Sequence, residues 1–154
     1  MKHNSALSRI RRRKRKTYRP PPKWTEGVEY YEIGFFDPFE LLQDVEIQTE
    51  CYGISGKSEC GLVELFEDGR LVVRKGFQWD ASGPTIDTPR TRRGSCFHDA
   101  MYTLRHSGVL WSLKHKRIAD ELLRTCMIED GECELRANIW HFGVDEFGNS
   151  YWNK

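Results

Sequence analysis

Apolar positions change their spacing midway along the chain, and that change predicts the architecture. In "GLVELFEDGRLVVRKGFQWD" two runs rich in Leu, Val and Phe flank Asp68-Gly69. An Asp-Gly pair between such runs is a strong hairpin signal and predicts a β-hairpin from about Leu62 to Val73. Upstream, "YYEIGFFDPFELLQDVEIQTE" mixes aromatic and β-branched residues around an Asp-Pro break, which predicts further short strands. Downstream, "WDASGPTIDTPRTRRG" concentrates glycine, proline, serine and threonine and predicts a loop. Helical spacing then takes over. Helices are predicted from Ser95 to about His106, over "LKHKRIADELLRTCM" with Ile118, Leu122 and Cys126 in an apolar stripe, and over "GECELRANIWHFGVDEFG", ending at Gly143 or Gly148. Strands followed by helices define an α+β domain, with a hairpin-rich first half and a helical second half.

A chain of 154 residues accommodates one core. The near-neutral net charge conceals an asymmetry. Residues 1–23 carry ten of the 24 basic side chains and no acid, which leaves 14 basic against 23 acidic groups in the remainder. Six consecutive cations, Arg11, Arg12, Arg13, Lys14, Arg15 and Lys16, precede the stiff "RPPPKW". Such a run repels itself and cannot bury enough apolar surface to fold alone, which predicts a basic arm over 1–23, disordered when free, joined by a proline hinge to a domain over 24–154. Its expected partner is nucleic acid, bound through phosphates, or an acidic surface on a neighbouring protein. No apolar run reaches the ~18 residues of a spanning helix, and the basic N-terminus lacks the apolar core of a signal peptide. A cytosolic protein, not exported through a signal peptide, is therefore expected.

The cysteines (Cys51, Cys60, Cys96, Cys126, Cys133) are odd in number and lack zinc-site spacing, so buried thiols are expected. His115, among Lys114, Lys116 and Arg117, reads as part of a solvated face. Arg90, Arg92 and Arg93 read as keeping the loop solvated, or as steering an anion. Trp111, Trp140 and Trp152 read as core or interface aromatics.

The candidate chemistry lies in "SCFHDAMYTLR". On a helix, His98, Tyr102 and Arg105 share one stripe, whereas Asp99 points about 100° away from His98. Asp120, on the next helix, is placed to return and orient the His98 ring if the two helices are antiparallel. The loop adds Asp80 and Asp87. This oxygen-rich set suits calcium or magnesium better than zinc. Two readings follow: a cation-assisted site in which imidazole and carboxylate serve different centres, or a polar pair buried between helices that fixes their packing.

The stretch "GFQWDASGPTIDTPRTRRGSCFHDAMYTLRHSG", with "ADELL", "EDG" and "ANIWHFGVDEFG" after it, resembles an uncharacterised family of small phage and prophage proteins, a domain of unknown function. That resemblance covers about half the chain and implies a viral origin, with the host cytoplasm or the virion as location. More distantly, the S-x-x-H-D-x-x-Y helix and the later helical Asp are similar to the phospholipase A2 fold. This likeness implies His98 as the base that activates water, Asp99 as a calcium ligand, Asp120 as the carboxylate orienting His98, Tyr102 as a supporting phenol, and an ester as substrate; Asp80 and Asp87 of the loop are the expected supporting metal ligands. The glycine-rich calcium loop and the disulfides of those enzymes have no counterpart here. The competing expectation is a non-enzymatic virion or assembly protein whose arm binds nucleic acid or a capsid or tail neighbour.

Overall fold

The computed structural model describes residues 15–17, 29–32, 39–80 and 88–154. Among the described residues eight short strands precede the helices: β1 (Arg15–Thr17), β2 (Glu29–Glu32), β3 (Phe39–Leu41), β4 (Val45–Gln48), β5 (Gly56–Lys57), β6 (Val63–Leu65), β7 (Arg70–Val73) and β8 (Gln78–Trp79). They form two antiparallel sheets, ordered β1-β2-β3-β8 and β4-β7-β6-β5. A 3-10 turn, Pro89–Thr91, leads into α1 (Arg92–His106), α2 (Leu113–Glu129), α3 (Glu134–Phe147) and the short α4 (Asn149–Trp152). This is the α+β order that the spacing predicts.

The two sheets share a ribbon. Val45 pairs with Val73 in one sheet and Phe39 with Trp79 in the other, and the bond from Leu41 N–H to Phe77 C=O between them keeps the same register. One antiparallel ribbon thus runs from 39–48 against 70–79, locally interrupted around 42–44, and delivers Trp79 and Asp80 beneath α1. There the Trp79 indole N–H donates to Ser95 Oγ at 3.1 Å. The predicted hairpin is β6–β7. Its turn is wider than an Asp-Gly pair alone, because Gly69 N–H closes onto Phe66 C=O and Phe66 N–H onto Arg70 C=O. Gly69 takes φ +82°, a left-handed conformation that glycine adopts without strain.

Strand β1 falls inside the segment read as an arm. It pairs with β2 as an edge strand, a position where Lys and Arg are commonly tolerated. Arg11, Arg12, Arg13 and Lys14 lie outside the described residues, as does Asp87.

Helix α1 is central, with Cys96, Phe97, Ala100, Met101 and Leu104 buried against both the sheets and α2. Gly94 permits the close approach of α2, since a Cβ there would meet Leu123 O at 2.9 Å and Cys126 Cβ at 3.2 Å. Gly94→Ala is expected to destabilise the domain by about 1–3 kcal/mol through overpacking, read as an earlier urea-unfolding midpoint.

Several side chains depart from the sequence expectation. Arg92 and Arg93 are buried because α1 begins at Arg92, three residues before the expected start. Arg92 lies over the Phe39 ring at 4.0 Å, and Arg93 bonds Asp130 at 3.0 Å and Glu129 at 2.6 Å, clamping α1 to the end of α2. His115 is buried rather than solvated. It closes a capping box in which its N–H donates to Ser112 Oγ and its ring nitrogen accepts from Ser112 N–H. Trp140 and Trp152 are core residues, whereas Trp111 is exposed with its ring edge-on to His115. Cys51, Cys96 and Cys126 are buried, but Cys60 and Cys133 are exposed, and all five are free thiols. Among the described residues no helix is long and apolar enough to cross a membrane.

Candidate active site

His98 and Tyr102 stand one turn apart on α1, and their rings stack with centroids 4.4 Å apart. Helix α2 brings Asp120 to them from the facing side. Asp120 Oδ1 accepts from His98 Nε2 at 2.9 Å and from the Tyr102 hydroxyl at 3.2 Å. Its other oxygen, Oδ2, accepts from Lys116 Nζ at 2.6 Å, one turn earlier on α2. Lys116 also donates to the carbonyls of Val144 at 3.1 Å and Asp145 at 3.2 Å, near the C-terminal end of α3, where the helix dipole favours a cation. The network therefore joins three helices around one carboxylate that is fully buried.

The second nitrogen of His98 has a different outlook. Nδ1 lies 3.4 Å from Asp99 Oδ1, too long for a strong hydrogen bond. The Asp99 carboxylate also accepts from the backbone N–H of Asp80. His98, Asp99 and Asp80 line one open cleft of about 870 Å³. Its apolar walls come from Phe77, Trp79, Tyr102, Val144, Phe147 and Tyr151. The floor is fixed by the core, since Trp152 packs edge-on against Tyr102 at 4.9 Å between centroids. One wall is held by α1, because the Arg105 guanidinium donates to Trp152 C=O and His106 Nε2 to Tyr151 C=O.

Burial acts on each titrating group, but the neighbours decide the sign. For His98, burial works against the imidazolium; hydrogen bonds to Asp120 and Asp99 and their charges outweigh it, so the ring holds its proton above the ordinary 6.5. Burial likewise pushes the Asp120 carboxyl up, but His98 and Lys116 outweigh it and hold it below the ordinary value. Asp99 moves the other way. Burial and the charge of Asp80 raise it against the pull of His98. Two carboxylates flanking one imidazole are thus driven apart, the usual condition for unequal roles in proton transfer.

The structure brings His98, Asp99, Tyr102, Asp120 and Asp80 to one place. Among the described residues no group of three or more His, Cys, Asp or Glu side chains is arranged to hold a metal ion, and Asp87, the third expected ligand beside Asp80 and Asp99, lies outside them. Lys116 escapes the sequence reading, although its i,i+4 spacing to Asp120 is the signal that marks it. No protein-family model, curated protein or solved structure matches the chain.

Proposed function

We propose that the cleft is a hydrolytic site of a phage-encoded accessory protein, with His98 as its acid–base group and an ester as the substrate class. The observation that carries this reading is the asymmetric ring of His98: Nε2 is committed to a buried, ion-paired Asp120, while Nδ1 faces only the looser Asp99, 3.4 Å away, and both His98 and Asp99 line the open cleft. Asp120 fixes the tautomer and orientation of the imidazole, and Lys116 and Tyr102 fix Asp120. A water within reach of Nδ1 gives His98 its proton while attacking the ester carbonyl, and the imidazolium returns that proton to the leaving alkoxide. Rigid support of the first contacting residue by a buried second layer is what such a step requires.

The rate has a defined pH dependence. The base acts unprotonated, and its pKa lies above 6.5, so the rate of ester hydrolysis is expected to rise through a midpoint above that value. A midpoint below 6.5 in a pH–rate profile contradicts the assignment of His98.

A second reading is favoured by the same buried network. Lys116, Asp120 and the carbonyls at the end of α3 tie three helices together, as a purely structural polar cluster does. In that reading the chain is a virion or assembly protein, and its basic segment binds nucleic acid or an acidic neighbour. Deleting residues 1–14 separates the two: an assembly protein loses its partner, and an enzyme keeps its rate on a soluble ester.

A further inference from the structure

We infer that copies of this chain associate with one another, the exposed turn before α2 of one copy seating on the outer face of α3 of the next. Helix α3 is apolar on two opposite sides. Ala137, Trp140 and, in part, Val144 pack inward with Leu123 and Met127 of α2. Leu135, Ile139 and Phe142, spaced i, i+4 and i+7, form a second stripe on the far side and are 72%, 41% and 62% exposed. One apolar stripe suffices for a surface helix, and a helix apolar on both sides is one that something covers. The border of the outer stripe is acidic. Arg136 is engaged by Glu132, and Arg124 is shared between two carboxylates, Glu121 and Glu134. Among the described residues Glu146, exposed on the last turn of α3, has no ion pair. Even with His141 protonated beside Glu121, this border keeps a net negative charge.

The turn between α1 and α2 has the opposite character. Trp111 and Leu113 stand 62% and 58% exposed, and the exposed Lys114 and Arg117 follow in the first turns of α2. The sequence has no acid between Asp99 and Asp120. Among the described residues Lys114 and Arg117 have no ion pair, unlike Lys116, which is spent on Asp120. Glu50 and Lys114 both lie within electrostatic reach of Cys51, so one acid of the neighbouring loop borders this patch and two cations outweigh it. The capping box of Ser112 and His115 fixes the turn, and the Trp111 ring leans edge-on against His115, so little freedom is lost on docking. Neither patch suits itself, because two basic turns repel each other and so do two acid-bordered stripes. Turn on stripe brings apolar surface to apolar surface and opposite charges to the rim. Every copy carries both patches, so the contact is heterologous.

The test is sedimentation equilibrium of the full chain across the micromolar to millimolar range, where a small contact of this kind operates. The wild-type mass is expected to rise above that of the monomer with concentration, and to fall back as salt is added. Trp111→Ala, which spoils the turn, and Phe142→Ala, which spoils the stripe, are each expected to weaken association at least about tenfold. An equimolar mixture of the two variants is expected to form dimers and nothing larger, because the intact turn of one meets the intact stripe of the other. Both positions are exposed; should either variant lose its fold by circular dichroism, Lys114→Glu replaces the first and Leu135→Ala the second, with the same expected results. A wild-type chain that stays monomeric throughout, or a mixture that stays monomeric, overturns the inference. So does a monomeric wild type whose Trp111-dependent fluorescence shifts on anionic phosphatidylglycerol vesicles or on single-stranded DNA, which assigns the turn to a lipid surface or to nucleic acid instead.

Discussion

Asp120→Ala is expected to destabilise the domain by about 3–5 kcal/mol, the cost of removing one partner from a buried ion pair. Asp120 is fully buried and Lys116 is 2% exposed, so the alanine variant leaves an ammonium inside the protein with two backbone carbonyls and, 3.8 Å away, the half-exposed Asp145 carboxylate near it. His98 Nε2 and the Tyr102 hydroxyl lose their acceptor at the same time. The melting temperature of a domain this size falls by roughly 2–4 °C per kcal/mol, which makes the expected drop about 10 °C. A drop of only one or two degrees would mean that the carboxylate does not hold the three helices together. The double variant Asp120→Ala with Lys116→Met is expected to recover much of the loss, because it removes the stranded charge along with its partner.

His98→Ala separates chemistry from stability. Asp120 keeps Lys116 and Tyr102 as donors in this variant, so the loss of stability is limited to about 1–3 kcal/mol for groups left without a partner. Turnover, in contrast, loses an acid–base group worth about 10²–10⁴-fold in rate. The two variants are therefore expected to rank oppositely: Asp120→Ala is the worse for folding, and His98→Ala leaves a folded protein without activity. Urea denaturation and initial rates on the same preparations check the ranking. If His98→Ala proves as destabilising as Asp120→Ala and leaves no rate difference behind, the network serves structure alone.

The contrast between these residues also explains what the sequence makes legible. Helix periods and the Asp-Gly turn are local signals, and the β6–β7 hairpin and the three long helices follow from them. The partnership of His98 with Asp120 is nearly as legible, since two helices joined by a short turn run antiparallel and the residues sit at matching depths. Lys116 is different. Read within "LKHKR" it belongs to a solvated run, and only the C-terminal end of α3, nearly 30 residues away, supplies the carbonyls that accept it into the interior. His115 is hidden for a related reason, because its burial depends on the cap it forms with Ser112 rather than on apolar spacing. Arg93 reads as a loop cation until α1 is seen to begin at Arg92, which turns its side chain toward Asp130. The cleft itself gathers the end of the ribbon, α1, α3 and α4, so no single stretch of sequence announces it.

The most direct test of the account is the initial rate of hydrolysis of a panel of p-nitrophenyl esters, from neutral to amine-bearing acyl groups, by the wild-type chain and by His98→Ala. The expected result is wild-type hydrolysis well above the buffer rate, and a variant at or near the buffer rate with its fold retained by circular dichroism. Wild-type hydrolysis no faster than buffer across the whole panel, or a variant as fast as the wild type, contradicts the assignment of His98 and leaves the cluster as a structural tie between three helices.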